Sequence, residues 1–131
     1  MKFLTKKLLL YFHQDQIAKF GGSQGIIDEN LLESALGQPL LGFGGEYFCK
    51  DEFEMAASYG YHLCLNHPFV DGNKRMTLLS MYTFLYMNGW QLSSDPESLY
   101  LNIMALAQNK ITKDDLAGFL KRHSVKIESE G

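Results

Sequence analysis

Hydrophobic residues recur along most of this chain at the three- and four-residue spacing that lines one face of a helix. The spacing predicts about six helices separated by short breaks. Five of them follow residues that readily cap a helix N-terminus, namely Thr5, Asp28, Asp51, Asp95 and Thr112. Four of them end at glycine or before proline, at Gly21, Gly37, Pro68 and Gly89. The chain is therefore predicted to be all-α.

Two refinements concern the third and fourth of these helices. Asp51 is followed three residues later by Glu54, an arrangement that resembles a capping box. The fourth helix, residues 73–87, is apolar over most of its surface, so we expect it to be the central buried helix. The residues on its main apolar face are Leu78, Met81, Tyr82 and Leu85.

The helical pattern breaks between residues 38 and 50, where glycines alternate with apolar and aromatic residues. Such a mixture is typical of a loop or small hairpin that packs on the rest of the protein rather than of a solvated linker. The segment contains Gly42, Phe43, Gly44, Gly45, Glu46 and Tyr47. We predict a small flap loop or hairpin here and a compact single domain over residues 1–131, with its core at about 5–122 and a flexible tail at 124–131.

Composition and charge indicate which binding partners and which cellular compartment to expect. A net charge of −3 argues against a general nucleic-acid binder, which would carry a basic surplus. No apolar run approaches the roughly 18 residues that a membrane span needs. Cys49 and Cys64 do not have the spacing of a metal knuckle. We expect a cytoplasmic protein with reduced thiols that binds neither nucleic acid nor membrane.

The densest chemistry lies in residues 67–75, which read HPFVDGNKR between two predicted helices. The amides of Gly72 and Asn73 precede or open the central helix, and a helix N-terminus attracts anions. Gly72 lets the backbone approach an oxyanion closely. Lys74 and Arg75 add positive charge, and arginine can bind two oxygens at once. These residues predict a phosphate-binding loop.

The same stretch contains a candidate base and a candidate metal ligand. His67 could accept the proton of an attacking hydroxyl, because imidazole exchanges protons near neutral pH. Asp71 could bind Mg²⁺, which prefers carboxylate and phosphate oxygens. Together with the phosphate-binding loop, they would suffice for phosphoryl or nucleotidyl transfer.

Plainer interpretations of the same residues exist. Asp-Gly is a common turn, Asn73 could simply cap the helix, and Phe69 is best explained as a core anchor. A P-loop and the HExxH zinc pattern are both missing from the sequence. The residues themselves establish an anion-binding loop with a candidate base, and they leave the reaction open.

HPFVDGNKR matches the signature HxFx[DE]GN[GK]R of Fic domains at every defined position. More closely, the chain resembles the death-on-curing (Doc) toxins, the compact branch of that family. The likeness extends from about residue 8 to residue 120 and includes FGG at 20–22, GIID at 25–28, LESAL at 32–36 and NGW at 88–90.

The resemblance implies a helical toxin encoded beside an antitoxin, with ATP and Mg²⁺ as substrate and cofactor. It assigns His67 as base, Asp71 as Mg²⁺ ligand, and Gly72, Asn73 and Arg75 as phosphate binders. Residues 42–48 fall where the family has a flap that clamps the target protein.

Lys74 distinguishes two reactions within the family. Most members that transfer AMP to a protein hydroxyl have glycine at this position, whereas death-on-curing toxins share the lysine and donate the γ-phosphate. The resemblance therefore favours a kinase-type toxin acting on a Ser or Thr hydroxyl, plausibly of a translation elongation factor. AMP transfer is the alternative. A catalytically degenerate interaction module is a third possibility, and the joint presence of His67, Asp71, Asn73 and Arg75 argues against it.

Two departures from the family pattern affect these expectations. Leu65 stands where the phage-type toxin has a cationic residue, so we expect one phosphate contact of that toxin to be missing here. Ser124 to Glu128 resembles the start of an inhibitory [ST]xxxE[GN] helix, but Ser129 follows instead of Gly or Asn. Inhibition is therefore expected from a separate antitoxin whose disordered segment folds on binding.

Overall fold

Six α-helices make up most of residues 1–128, which the computed structural model describes. They are α1 (Lys6–Phe20), α2 (Glu29–Gly37), α3 (Glu52–Asn66), α4 (Asn73–Met87), α5 (Pro96–Ala107) and α6 (Lys113–Arg122). A short 3₁₀ turn, Gln38–Leu40, follows α2. The all-α, single-domain, six-helix prediction is confirmed.

The predicted caps explain where the helices begin. Each side chain at Thr5, Asp28, Asp51, Asp95 and Thr112 accepts a backbone N–H from the first turn of its helix. Such caps contribute on the order of 1 kcal/mol each. Only the Thr112–Asp115 pair closes a full capping box among residues 1–128. At α3 the Glu54 carboxylate accepts the Lys50 N–H at 3.1 Å, one residue before the cap, instead of closing the box on Asp51.

Helix α4 runs through the centre of the core, packed against α1, α3, α5 and the strand that follows it. Met81, Phe84 and Leu85 are completely buried. At the crossing with α3, a Cβ on Gly60 would collide with the Met81 thioether, so glycine lets the two helices approach closely. Tyr82, predicted on the buried face, is half-buried and donates its hydroxyl to the Ser94 carbonyl.

The segment between α2 and α3, predicted as a loop or small hairpin, is a hairpin. Strand β1 (Gly42–Phe43) pairs antiparallel with β2 (Glu46–Tyr47), with Gly42 opposite Tyr47 and Phe43 opposite Glu46. Gly44 and Gly45 form the turn with φ angles of 62° and 84°, which glycine adopts without strain. Phe43 is 85% exposed at the tip.

The predicted flexible tail at 124–131 is wrong for its first residues. Strand β4 (Ser124–Lys126) pairs antiparallel with β3 (Trp90–Leu92), a second small sheet that the helical pattern concealed. The start of the inhibitory-like string at Ser124 is thus extended, not helical. Residues 129–131, including Ser129, lie outside the described part of the chain.

Over residues 1–128, each helix is too short or too polar to cross a bilayer.

Replacing Leu85 tests the central role of α4. Leu85→Ala should lower the free energy of unfolding by about 2–5 kcal/mol, because a fully buried leucine leaves a cavity when truncated. Urea denaturation monitored by circular dichroism would measure it. Leu101→Ala, at a leucine that is 59% exposed on α5, is the matched control and should change stability by about 0.5 kcal/mol or less. An equally small effect at Leu85 would contradict the burial.

Candidate active site

The HPFVDGNKR segment forms the turn between α3 and α4, bounded by two residues in the left-handed region. His67 ends α3 with φ 48° and ψ 56°, and its N–H donates to Leu63 O at 3.2 Å. Gly72 is the N-cap of α4 with φ 80°. The positive φ at His67 is unfavourable for a residue with a Cβ, so surrounding contacts must hold it there. His67 itself is exposed.

Asn73 holds the turn closed from inside. Its buried side chain amide donates to Phe69 O at 2.7 Å, and its amide oxygen accepts the Phe69 N–H at 3.0 Å. The interpretation of Asn73 as a helix cap is therefore wrong, because its side chain does not reach the amides of α4. Within residues 1–128 no side chain caps α4, which leaves its first-turn N–H groups without a side-chain acceptor.

Asp71 presents an ionised carboxylate at the exposed edge of the turn. Its Oδ2 accepts the Ser23 N–H at 3.1 Å and its Oδ1 accepts the Gly72 N–H at 2.8 Å. These two bonds, and then the positive charge of Arg75, hold the pKa of the Asp71 carboxyl below its ordinary value. The carboxylate thus joins the turn to the glycine-rich segment after α1.

Arg75 binds the end of α1 instead of pointing freely into solvent. Its guanidinium donates to Gln16 O at 3.2 Å and to Gly21 O at 2.9 Å. Gly22 fits this junction because a Cβ there would lie 2.7 Å from Asp71 Oδ2, and its φ is +119°. Two of the five guanidinium N–H groups are used, so others stay available to an anion.

His13, on α1, is the main component of the site that the sequence did not reveal. It is buried, its ring stacks on Phe69 with centroids 4.1 Å apart, and its Nε2 lies 2.8 Å from Asp71 O. Because a carbonyl oxygen can only accept, His13 Nε2–H must donate to Asp71 O, and the imidazole thereby supports the backbone of the turn. Its separation of 58 residues from Asp71 gave no local sequence signal.

The 25–27 segment adds a backbone support on the same turn. Val70 N–H donates to Gly25 O at 3.1 Å and Ile27 N–H donates to Pro68 O at 2.7 Å. Phe69, predicted as a core anchor, is completely buried between these contacts. The turn is therefore fixed by backbone pairing on one side and by Asn73 on the other.

Lys74 is directed towards α5. Its ammonium lies 3.5 Å from the Glu97 carboxylate and 4.2 Å from the centroid of the Tyr100 ring. Neither α5 residue belongs to the sequence motif, and neither was predicted as part of the site.

The predicted site residues share one cavity of about 350 Å³. It is lined by His67, Val70, Asp71, Gly72, Asn73, Lys74 and Arg75. The predicted flap residues line a different cavity of about 300 Å³ at the hairpin. Over residues 1–128 no three His, Cys, Asp or Glu side chains are grouped to hold a metal. A single carboxylate such as Asp71 is still compatible with Mg²⁺ bound mainly by phosphate oxygens.

Comparison with known proteins identifies the family to which this chain belongs. A model of the Fic/DOC family matches residues 3–85. The chain belongs to the Fic/Doc family. It is 31% identical over 122 residues to "Protein kinase doc" of Escherichia phage P1, covering 93% of this chain and 95% of that protein. It is 37% identical over 76 residues to "Toxin Doc" of Mycolicibacterium smegmatis, covering 58% of each chain.

The Asp71 contacts of this Fic/Doc protein predict a pH-dependent stability. Because its folded-state pKa is lowered, the ionised carboxylate stabilises the fold above the ordinary carboxyl pKa near 3.8, and this stabilisation is lost as pH falls through the folded pKa. Asp71→Asn should therefore be less stable than wild type at pH 7, with the difference shrinking at pH 3. Urea midpoints at both pH values measure this. A difference that does not change with pH would contradict it.

Proposed function

We propose that this Fic/Doc protein is the toxin of a toxin–antitoxin pair and transfers the γ-phosphate of ATP to a Ser or Thr hydroxyl of a target protein. The observation that carries the proposal is the single cavity that combines His67, Asp71 and the uncapped first turn of α4. The names of the relatives from phage P1 and M. smegmatis support the kinase and toxin parts respectively.

The phosphate chain would be bound at the start of α4. The positive end of the helix dipole and the first-turn N–H groups favour an anion there. Gly72, at its positive φ angle, allows close backbone approach, and the free N–H groups of Arg75 add charge-assisted donors. Asn73 contributes through its backbone N–H, because both polar groups of its side chain already bind Phe69.

His67 is the proposed base. Its imidazole would take the proton of the acceptor hydroxyl as that oxygen bonds to the γ-phosphorus and the bond from γ-phosphorus to the bridging oxygen breaks, releasing ADP. Asp71 would hold Mg²⁺, which neutralises phosphate charge when bound. The lowered pKa of its carboxyl keeps Asp71 negatively charged for this role.

Lys74 supports phosphoryl transfer over AMP transfer. Lys74 brings a positive charge to the edge of the phosphate cavity that it lines, where glycine would leave an open anion hole. The 31% identity to a protein named a kinase, over nearly the full length of both chains, points the same way.

The proposed partners follow from the toxin assignment. A cytoplasmic target with an acceptor hydroxyl, proposed to be a translation elongation factor, would dock beside the exposed hairpin of Gly42, Phe43, Gly44, Gly45, Glu46 and Tyr47. A cognate antitoxin would supply the inhibitory segment. The cavity of about 780 Å³ between α1 and residues 24–26 adjoins the turn through His13 and could receive it.

Isotope labelling distinguishes the two transfer reactions. Purified protein incubated with candidate target and Mg²⁺ should transfer label from [γ-³²P]ATP and not from [α-³²P]ATP. The modified target should gain the mass of one phosphate. Label transferred from the α position alone would reject the kinase and establish AMP transfer instead.

Expression in a bacterial host tests catalysis in the cell. Wild-type protein should arrest growth, and His67→Ala should abolish the arrest with a loss of transfer rate of at least about 100-fold, since a general base contributes that much. His123→Ala is the matched control, because this exposed histidine ends α6 and is no part of the turn. Growth arrest equally strong in the His67→Ala variant would exclude the enzymatic mechanism.

A further inference from the structure

We propose that Glu97 and Tyr100 of α5 form a cradle for the Lys74 ammonium and thereby set how strongly the turn binds phosphate. The inference rests on the proposed function, since it concerns the same cavity. It adds two residues that tune phosphate affinity and that lie outside the HPFVDGNKR motif and beyond residues 3–85, the range that the family model matches.

The geometry of the cradle follows from the helical spacing. Glu97 lies in the first turn of α5, and Tyr100, three residues later, lies on the same face. Lys74, in the first turn of α4, is 3.5 Å from the Glu97 carboxylate and 4.2 Å from the Tyr100 ring centroid. The carboxylate and the π-face therefore act on one cation together.

The cradle holds Lys74 only weakly. The side chains of Lys74 and Glu97 are 50% and 68% exposed, so solvent screens their attraction. Arg75 differs, because two backbone carbonyls of the α1 end bind its guanidinium. Of the two cations lining the phosphate cavity, Lys74 is thus the one that can be redirected at little cost.

Glu97 competes with phosphate for this cation. Both are anions that need the same ammonium, and the carboxylate also lowers the positive potential at the cavity edge. Removing its charge should release Lys74 to the phosphates. Tyr100 limits the directions in which the released ammonium can move, because its ring keeps the cation near α5.

Binding of inorganic tripolyphosphate, measured by calorimetry without Mg²⁺ or target, tests the competition directly. Glu97→Gln should bind about two- to fivefold tighter than wild type, the range expected for losing one exposed ion pair. The gain should disappear in the double variant Lys74→Met/Glu97→Gln. Asp114→Asn, which removes an exposed first-turn carboxylate from α6, is the control for net charge and should leave affinity unchanged.

A second measurement examines the cradle without any ligand. In protein labelled with ¹³Cε-lysine, the Lys74 ε-methylene protons should resonate upfield of those of exposed lysines such as Lys110, because of the Tyr100 ring current. The shift should persist in Tyr100→Phe and vanish in Tyr100→Leu.

The outcomes separate the two proposals. If the Glu97→Gln variant binds tripolyphosphate no more tightly than wild type, the cradle's role is overturned and the proposed function still stands. A Lys74 resonance at the position of exposed lysines would likewise overturn it. Failure of every variant to bind tripolyphosphate, and of wild type to bind ATP with Mg²⁺, would overturn the proposed function and this inference with it.

Discussion

The two hydrogen bonds between the Asn73 side chain and the Phe69 backbone close the turn on which the whole site is built. They close the turn across residues 69–73, with donor–acceptor distances of 2.7 and 3.0 Å in a buried environment. Without the amide, the Phe69 N–H and C=O would be buried without partners, which costs on the order of 1–3 kcal/mol each. An aspartate could accept but not donate here, so the pair requires an amide.

Contacts with residues distant in sequence then position the charged groups of the closed turn. His13 supports the Asp71 carbonyl, Arg75 binds the end of α1, and Ser23 N–H orients the Asp71 carboxylate. The result is that Asp71 stays ionised and the amides of α4 stay uncapped at the same exposed corner. A helix N-terminus alone is common; here contacts with α1 and the segment after it also hold a carboxylate and a guanidinium beside it.

The sequence predicted the parts of this structure that local rules determine. Caps, stops and apolar spacing located all six helices of the described region and the buried α4. The glycine-rich break at 38–50 indicated a loop or small hairpin without deciding between them. The sequence missed β3 and β4, since three-residue strands acquire their pairing only from the fold. It also missed His13 and Glu97, which reach the motif across 58 and 23 residues respectively, where no local spacing reports proximity.

The role of Asn73 shows why a correct motif can still be misinterpreted. Asparagine at the start of a helix is compatible with capping, phosphate binding or loop bracing, and only the side-chain rotamer distinguishes them. In the structure the Asn73 side chain binds the Phe69 backbone and holds the loop closed. An anion would therefore be bound by the backbone amides and by the flanking cations. Since Arg75 is fixed by α1 and Lys74 is held loosely by α5, the rigid part of the site is set within residues 13–75. The position of the Lys74 charge can change, and it depends on α5, a helix outside the HPFVDGNKR motif.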